Sequence, residues 1–316
     1  MRNNIFTLLV ALLTVSLFGC ERENVKPVDE PTDTIVGPFD DYGASVALFS
    51  VADGRQVRFS KGNLQYCAVG SHTTTENASA SGIFRFADHQ YDYLGEANAL
   101  VSDTNSGWID LLCWGSSGWH VSPSSLKDGD YDIESLCGSE AYADWGVYNA
   151  ISNGGDRPGM WRTLTSDEWE YLVNQRAASS VDGTNSARYA EATVAGTAGL
   201  ILFPDRFERP SSLPAIVNIN NNYPASAIAY DDNVYSTEEW SLMEQAGAIF
   251  LPAAGYRGAT WLSTVGEGGS YWASTCNDAG QAHALLFING LVNASASGNY
   301  EKDRGYGRSV RLVKDK

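Results

Sequence analysis

Trp161-Arg162-Thr163-Leu164-Thr165-Ser166-Asp167-Glu168-Trp169-Glu170-Tyr171-Leu172 is the stretch that decides how the chain is read. Inside it, Thr165-Ser166-Asp167-Glu168 has the form of a capping box. The Thr165 hydroxyl can accept the amide three residues on, while Glu168 reaches back to the N-cap. Acidic residues in a first turn also suit the positive end of a helix dipole. Trp169, Leu172 and Val173 then fall on one helical face. The spacing therefore predicts a helix entered at Thr165. Asp167, Glu168 and Glu170 read as its first turn rather than as a catalytic carboxylate cluster. The same signature recurs at Ser236-Thr237-Glu238-Glu239, ahead of Trp240, Leu242 and Met243, and predicts a second helix.

Around these helices the chain reads as short strands. Val46–Val51, a turn at Ala52-Asp53-Gly54, and the polar-apolar alternation of Gln56–Ser60 form a hairpin pattern. Leu64–Ala68 and Ile83–Phe86 have strand character on either side of a Ser/Thr/Asn/Gly-rich loop at 69–82. Toward the end come Ala248–Pro252, Gly255-Tyr256-Arg257 and Tyr271–Thr275. Ala284–Ile288 turns at Asn289-Gly290 into Leu291–Ala296, and Ser309–Val313 closes the chain. Residues 98–160 lack regular patterns but carry Trp108, Trp114, Trp119 and Trp145. So long a structureless loop is unusual in a compact domain, and its tryptophans predict irregular structure packed against a core. Two helices among many short strands give an α+β class.

The N-terminus reads differently. Arg2, an apolar run over Ile5–Phe18, and the ending Leu17-Phe18-Gly19-Cys20 have the layout of a secretory signal. That run is too short to span ~30 Å of hydrocarbon as a permanent helix. Leu17-Phe18-Gly19-Cys20 resembles a bacterial lipobox, which implies cleavage after Gly19 and diacylglycerol on Cys20; the alternative is an ordinary signal peptide with Cys20 incidental. Residues 21–42 are acidic, rich in proline and poor in large apolar residues, a composition that cannot offset its ordering entropy. The expected division is a signal peptide at 1–19, a lipidated N-terminus and stalk at 20–42, and one domain at 43–316.

The net charge of -17 argues against binding a phosphate backbone, which needs Lys and Arg to displace counterions. An exported chain permits disulfides. Cys67, Cys113, Cys137 and Cys276 allow three pairings, and buried thiols are an equal alternative.

The Trp161–Leu172 segment resembles the WRLPTxxEWEYL segment of formylglycine-generating-enzyme-like and C-type-lectin-like domains. Ala254–Arg257, Gly269–Thr275 and Gly307–Asp315 look like segments that recur in that order in the major paralogous domains of Bacteroidetes and Fibrobacter surface proteins. Phe59–Tyr66, Gln90–Gly95 and Cys113-Trp114-Gly115 look like the N-terminal part of the same group. This resemblance implies a C-type-lectin-like fold with two short helices, a small twisted antiparallel sheet and long irregular loops. It also implies a location at the outer membrane, facing the cell surface.

Chemistry is sparsely marked. The formylglycine-generating activity of the family it resembles needs two neighbouring C-terminal cysteines holding copper, and Cys276 stands alone in its region. His72, His89, His120 and His283 have no zinc spacing. Asp128, Asp130 and Asp132 alternate like a calcium loop, yet Ile133 stands where Gly is needed and Ser139 where Glu is needed. Asn277-Asp278 is similar to the calcium ligands of true C-type lectins, although Cys276 replaces the usual Trp. The expectation is no cofactor, with calcium at these five residues as the secondary reading. Trp108, Trp114, Trp119 and Trp261, set among small and polar residues, are the candidates for stacking on sugar or anchoring a protein partner. A surface-anchored, non-enzymatic protein that recognises glycan or protein is the expected function. The alternatives are an enzyme with an altered site and a ligand-free envelope protein.

Overall fold

Asp53 and Gly54 close the first hairpin, between strands β1 (Phe49–Ala52) and β2 (Arg55–Phe59), in the computed structural model. It describes residues 37–68, 82–126, 133–181, 186–220, 229–276, 281–288, 290–294 and 304–316. Gly54 takes φ +70°, the left-handed geometry that such a turn favours. In β2, Val57 and Phe59 are buried, while the polar residues between them are only partly covered, as the alternation predicts. Next, β3 (Leu64–Cys67) pairs with β4 (Ile83–Phe86), Leu64 opposite Phe86, and on its other side with β5 (Trp108–Ile109). All four β3 residues are buried, as befits the middle strand.

The described residues of 98–160 contain only β5, a turn of 3-10 helix at Gly138–Ala143 and helix α1 (Trp145–Tyr148), apart from the end of a 3-10 stretch at Gly95–Leu100. Buried indoles pin this region, each using its one N–H donor. Trp114 Nε1 donates to Ala273 O at 2.8 Å and Trp145 Nε1 to Ser116 Oγ at 3.4 Å. Trp161, directly after the region, donates to Gly154 O at 2.7 Å.

The capping box at Thr165 forms. Glu168 N donates to Thr165 Oγ1 at 3.1 Å, and Thr165 N to Glu168 Oε2 at 2.9 Å. The helix it starts, α2 (Ser166–Glu170), is short and widens into a π turn at Tyr171–Gln175. Trp169, Leu172 and Val173 are buried together. Glu168 also receives Arg162 in a two-pronged ion pair at 2.7 and 2.8 Å, plus Arg55 at 2.9 Å. Arg162 reaches on to Asp315 at 2.6 Å, tying α2 to the C-terminus.

Beyond α2, β6 (Ser179–Ser180) pairs with β7 (Ser186–Ala187). A hairpin that the sequence reading did not anticipate follows, β8 (Tyr189–Val194) with β9 (Thr197–Leu202). Ala195 and Gly196 both have positive φ at its turn, the geometry of a type I′ connection. Two-residue β10 (Val234–Tyr235) joins β8 in parallel, and β11 (Ile249–Pro252) joins β9 antiparallel. Between them α3 (Thr237–Gln245) starts at the second capping box, with Ser236 N on Glu239 Oε2 and Glu239 N on Ser236 Oγ. Trp240 and Met243 face the core, but Leu242 points outward and is 39 % exposed, because one helical face cannot carry all three positions.

The C-terminal part holds a small hairpin, β12 (Tyr256–Gly258) and β13 (Trp261–Ser263), and a meander of β14 (Gly268–Cys276), β15 (Ala282–Ile288) and β16 (Leu291–Asn293). The last strand is β17 (Val313–Asp315), paired with β2. A regular strand was expected at Ser309–Val313, and most of it instead threads between elements. Arg308 exchanges bonds with Leu112, Ser309 with Ser270 and Trp272, and Val310 O and Leu312 O accept from Leu64 N and Ser60 N. This buried strap joins sheets that share no ladder. The fold is thus mixed α+β, with three short helices and small, mainly antiparallel sheets among the described residues.

Candidate functional site

The hairpin of β12 and β13 carries the one candidate tryptophan that is exposed to solvent. Strand alternation sends Arg257 inward and Tyr256 outward. Arg257 is fully buried and is held by carbonyls: Nε and Nη2 donate to Leu111 O at 3.2 Å, and Nη1 to Ala259 O at 2.7 Å. Its backbone pairs with Gly307, which brings Tyr306 beside the hairpin. Trp261 lies across Gly258, where a Cβ would collide with the indole. The result is a triad. The Trp261 ring stands 5.8 Å from Tyr256 and 6.0 Å from Tyr306, edge-on to both, and the two tyrosines are 5.6 Å apart. Trp261 remains 49 % exposed.

The other tryptophan candidates separate. Trp114 is fully buried, with Arg304 packed 4.8 Å over its ring, so it is a core residue and offers no surface to a ligand. Trp108 is half-buried and covered by the Arg85 guanidinium at 4.0 Å. Trp119 packs partly against the core. It also heads a second exposed aromatic group: His120 is 3.6 Å away and Tyr142 6.0 Å, with Tyr148 a further 6.0 Å on. Tyr142 is 56 % exposed. Sequence reasoning missed Tyr256, Tyr306, Tyr142 and Tyr148, since tyrosines are common in this chain and only their convergence distinguishes them.

Cys20, Asp128, Asp130, Asp132, Asn277 and Asp278 lie outside the described residues. Among the described residues, no three His, Cys, Asp or Glu side chains converge as a metal site, and no helix is long and apolar enough to cross a membrane. Cys67, Cys113 and Cys276 are not in disulfides. Cys67 donates to Ser106 O at 3.3 Å, and Cys113 to Ser125 O at 3.1 Å and Gly305 O at 3.0 Å. Burial pushes the Cys276 thiol up, against the opposing pull of Arg304 at 3.4 Å, so it is less ionised than an ordinary cysteine.

A cleft of about 240 Å³ opens between α3 and the turn at Asp88–Tyr91, and shares no residue with either aromatic group. Scanned against family models, the chain matches none, and comparison with curated proteins and with solved structures likewise finds no match.

Proposed function

We propose that this chain is a non-enzymatic recognition protein of the cell surface. It is held at the outer membrane by lipid on Cys20, has a C-type-lectin-like arrangement, and binds glycan through Tyr256, Trp261 and Tyr306. The observation that carries the reading is the half-exposed Trp261 indole, held on a glycine backbone between two tyrosines. The C–H face of a sugar ring is apolar and stacks on such a surface. A ring already fixed in place loses little entropy on binding. Two capped helices, small antiparallel sheets and a long loop pinned by tryptophans support the lectin-like arrangement. The raised pKa of the Cys276 thiol speaks against its use as a nucleophile or as one half of a copper site, since both need the thiolate. No cofactor is proposed; calcium at Asp128, Asp130, Asp132, Asn277 and Asp278 is the secondary reading. The charge of -17 supports partners other than nucleic acid.

A protein partner is the second reading. It is favoured by the exposed group of Trp119, Tyr142 and Tyr148, because Trp and Tyr anchor protein interfaces. A glycan array run with the purified chain, in calcium and in chelator, tests the proposal. Binding that is lost in Trp261→Ala, with the fold intact, supports it. Silence across the array, or binding indifferent to Trp261, removes the glycan reading of this hairpin and leaves the protein partner.

A further inference from the structure

The cleft beside α3 has the makings of a second site, independent of the aromatic hairpin. Its volume of about 240 Å³ is below the ~300–1,000 Å³ of clefts that bury drug-sized molecules, which limits the occupant to roughly one ring. Phe39, Tyr91 and Trp240 supply aromatic walls. Tyr91 is steadied by His89, stacked parallel to it at 5.0 Å, and Trp240 by Phe250 at 5.5 Å. Trp240 is almost fully buried and shows the cleft only the edge of its ring.

The polar lining combines acceptors and donors. Asp88 and Glu244 accept, Lys61 donates, and the Ser241 and Thr237 hydroxyls do either. Glu244 is positioned from behind. Its Oε1 accepts Gln90 Nε2 at 2.9 Å. Gln90 is fully buried and is itself fixed: Nε2 also donates to Ala248 O, and Oε1 accepts Phe250 N at 2.8 Å and Arg311 Nη2 at 2.7 Å. That network holds Oε1 of the carboxylate in place before any ligand arrives, which lowers the cost of binding.

We infer that this cleft seats a single hydroxylated sugar ring, such as the end residue of a glycan. A ring with apolar C–H faces matches the aromatic walls, and hydroxyls that both donate and accept can satisfy carboxylate, ammonium and hydroxyl together. An anion would meet two carboxylates. A cation would meet Lys61, which makes no ion pair among the described residues. A purely apolar ring would leave the polar groups desolvated and unmatched.

The test is saturation-transfer NMR on the full-length protein with methyl glycosides of mannose, galactose and glucose and with N-acetylglucosamine, alongside choline and inorganic phosphate. At least one sugar should give saturation transfer. Its affinity should fall at least tenfold in Ser241→Trp, which fills the cleft from an exposed helix position, and in Glu244→Gln, which keeps the shape and removes the charge. The cleft variants are therefore compared in the Trp261→Ala background, where the hairpin no longer contributes: the sugar should still give transfer there and lose it on adding Ser241→Trp, so the hairpin and the cleft fail separately. The inference is overturned if no sugar gives transfer, if both cleft variants bind as the parent does, or if choline or phosphate displaces the sugar.

Discussion

Asp110 should make this protein lose stability as the pH rises from acid toward neutral. Its carboxylate is fully buried and accepts Leu94 N at 2.9 Å and Asn98 Nδ2 at 2.8 Å. Asn98 Oδ1 in turn accepts the amides of Asp110 and Leu111. No cation pairs with Asp110 among the described residues. Burial therefore dominates the hydrogen bonds and pushes its pKa up to about 6, well above the ordinary carboxylate range. A carboxyl with a raised folded pKa binds its proton more tightly folded than unfolded. The stability it contributes is complete below the unfolded pKa and is lost as the pH climbs through about 6. Two units at ~1.4 kcal/mol each amount to about 3 kcal/mol, of which roughly 2 kcal/mol falls between about pH 4 and pH 7. Asp110→Asn keeps the shape and does not titrate. Its amide must oppose one of the two donors, which sets an offset that is constant with pH. Urea unfolding of parent and variant across this window gives the difference curve, from which the other titrating groups cancel. The variant should gain about 2 kcal/mol relative to the parent toward pH 7. A flat difference, or one that falls, would refute the reasoning.

Four further outcomes can be measured. Glu168→Ala removes a cap and one of the two carboxylates on the largely buried Arg162, which keeps Asp315, and should cost about 2–3 kcal/mol in urea unfolding. Asp315→Asn, whose side chain is nearly half exposed, should cost less than about 1 kcal/mol. Trp114→Ala should destabilise by about 3–5 kcal/mol through an empty core site, whereas Trp261→Ala should change stability by under about 1 kcal/mol and abolish glycan binding at the β12–β13 hairpin. Cys20→Ser should move the protein from the membrane fraction to the soluble one on cell fractionation, and unchanged membrane association would remove the lipid anchor.

Much of the fold was legible wherever a few adjacent residues settle the outcome. The two capping boxes name their own helix starts, and Asp53-Gly54 with the alternation of β2 names its hairpin. The hairpin of β8 and β9 was not legible, because its packing rests on small residues rather than on a hydrophobic pattern. Gly199 is the plainest instance, since a Cβ there would collide with Leu251 O and the Phe250 ring. Ala190 and Ala192 are likewise buried in close contact. At the candidate site, Trp261 was visible by residue type, but Tyr306 joins it only through the pairing of Arg257 with Gly307, about fifty residues apart in sequence. Trp114 and Trp119 flank the same run of Gly115-Ser116-Ser117-Gly118, and only tertiary contacts put one in the core and the other near the surface.

The most recognisable stretch of this sequence turns out to be occupied with architecture. Trp161 bonds Gly154, Arg162 holds Glu168 and Asp315, Leu164 is buried, and Thr165 caps α2. Each of its distinctive side chains is committed to an internal partner, so the stretch can specify a way of folding while saying nothing about a ligand. The hairpin of β12 and β13 divides the same labour within three residues. Arg257 faces inward and fastens the strand to Leu111, which leaves Tyr256 and, across the turn, Trp261 to face out. Residues 161–172 can therefore be alike in proteins that bind quite different things, while a change at Trp261 or Tyr306 alters the exposed surface without disturbing what Arg257 holds.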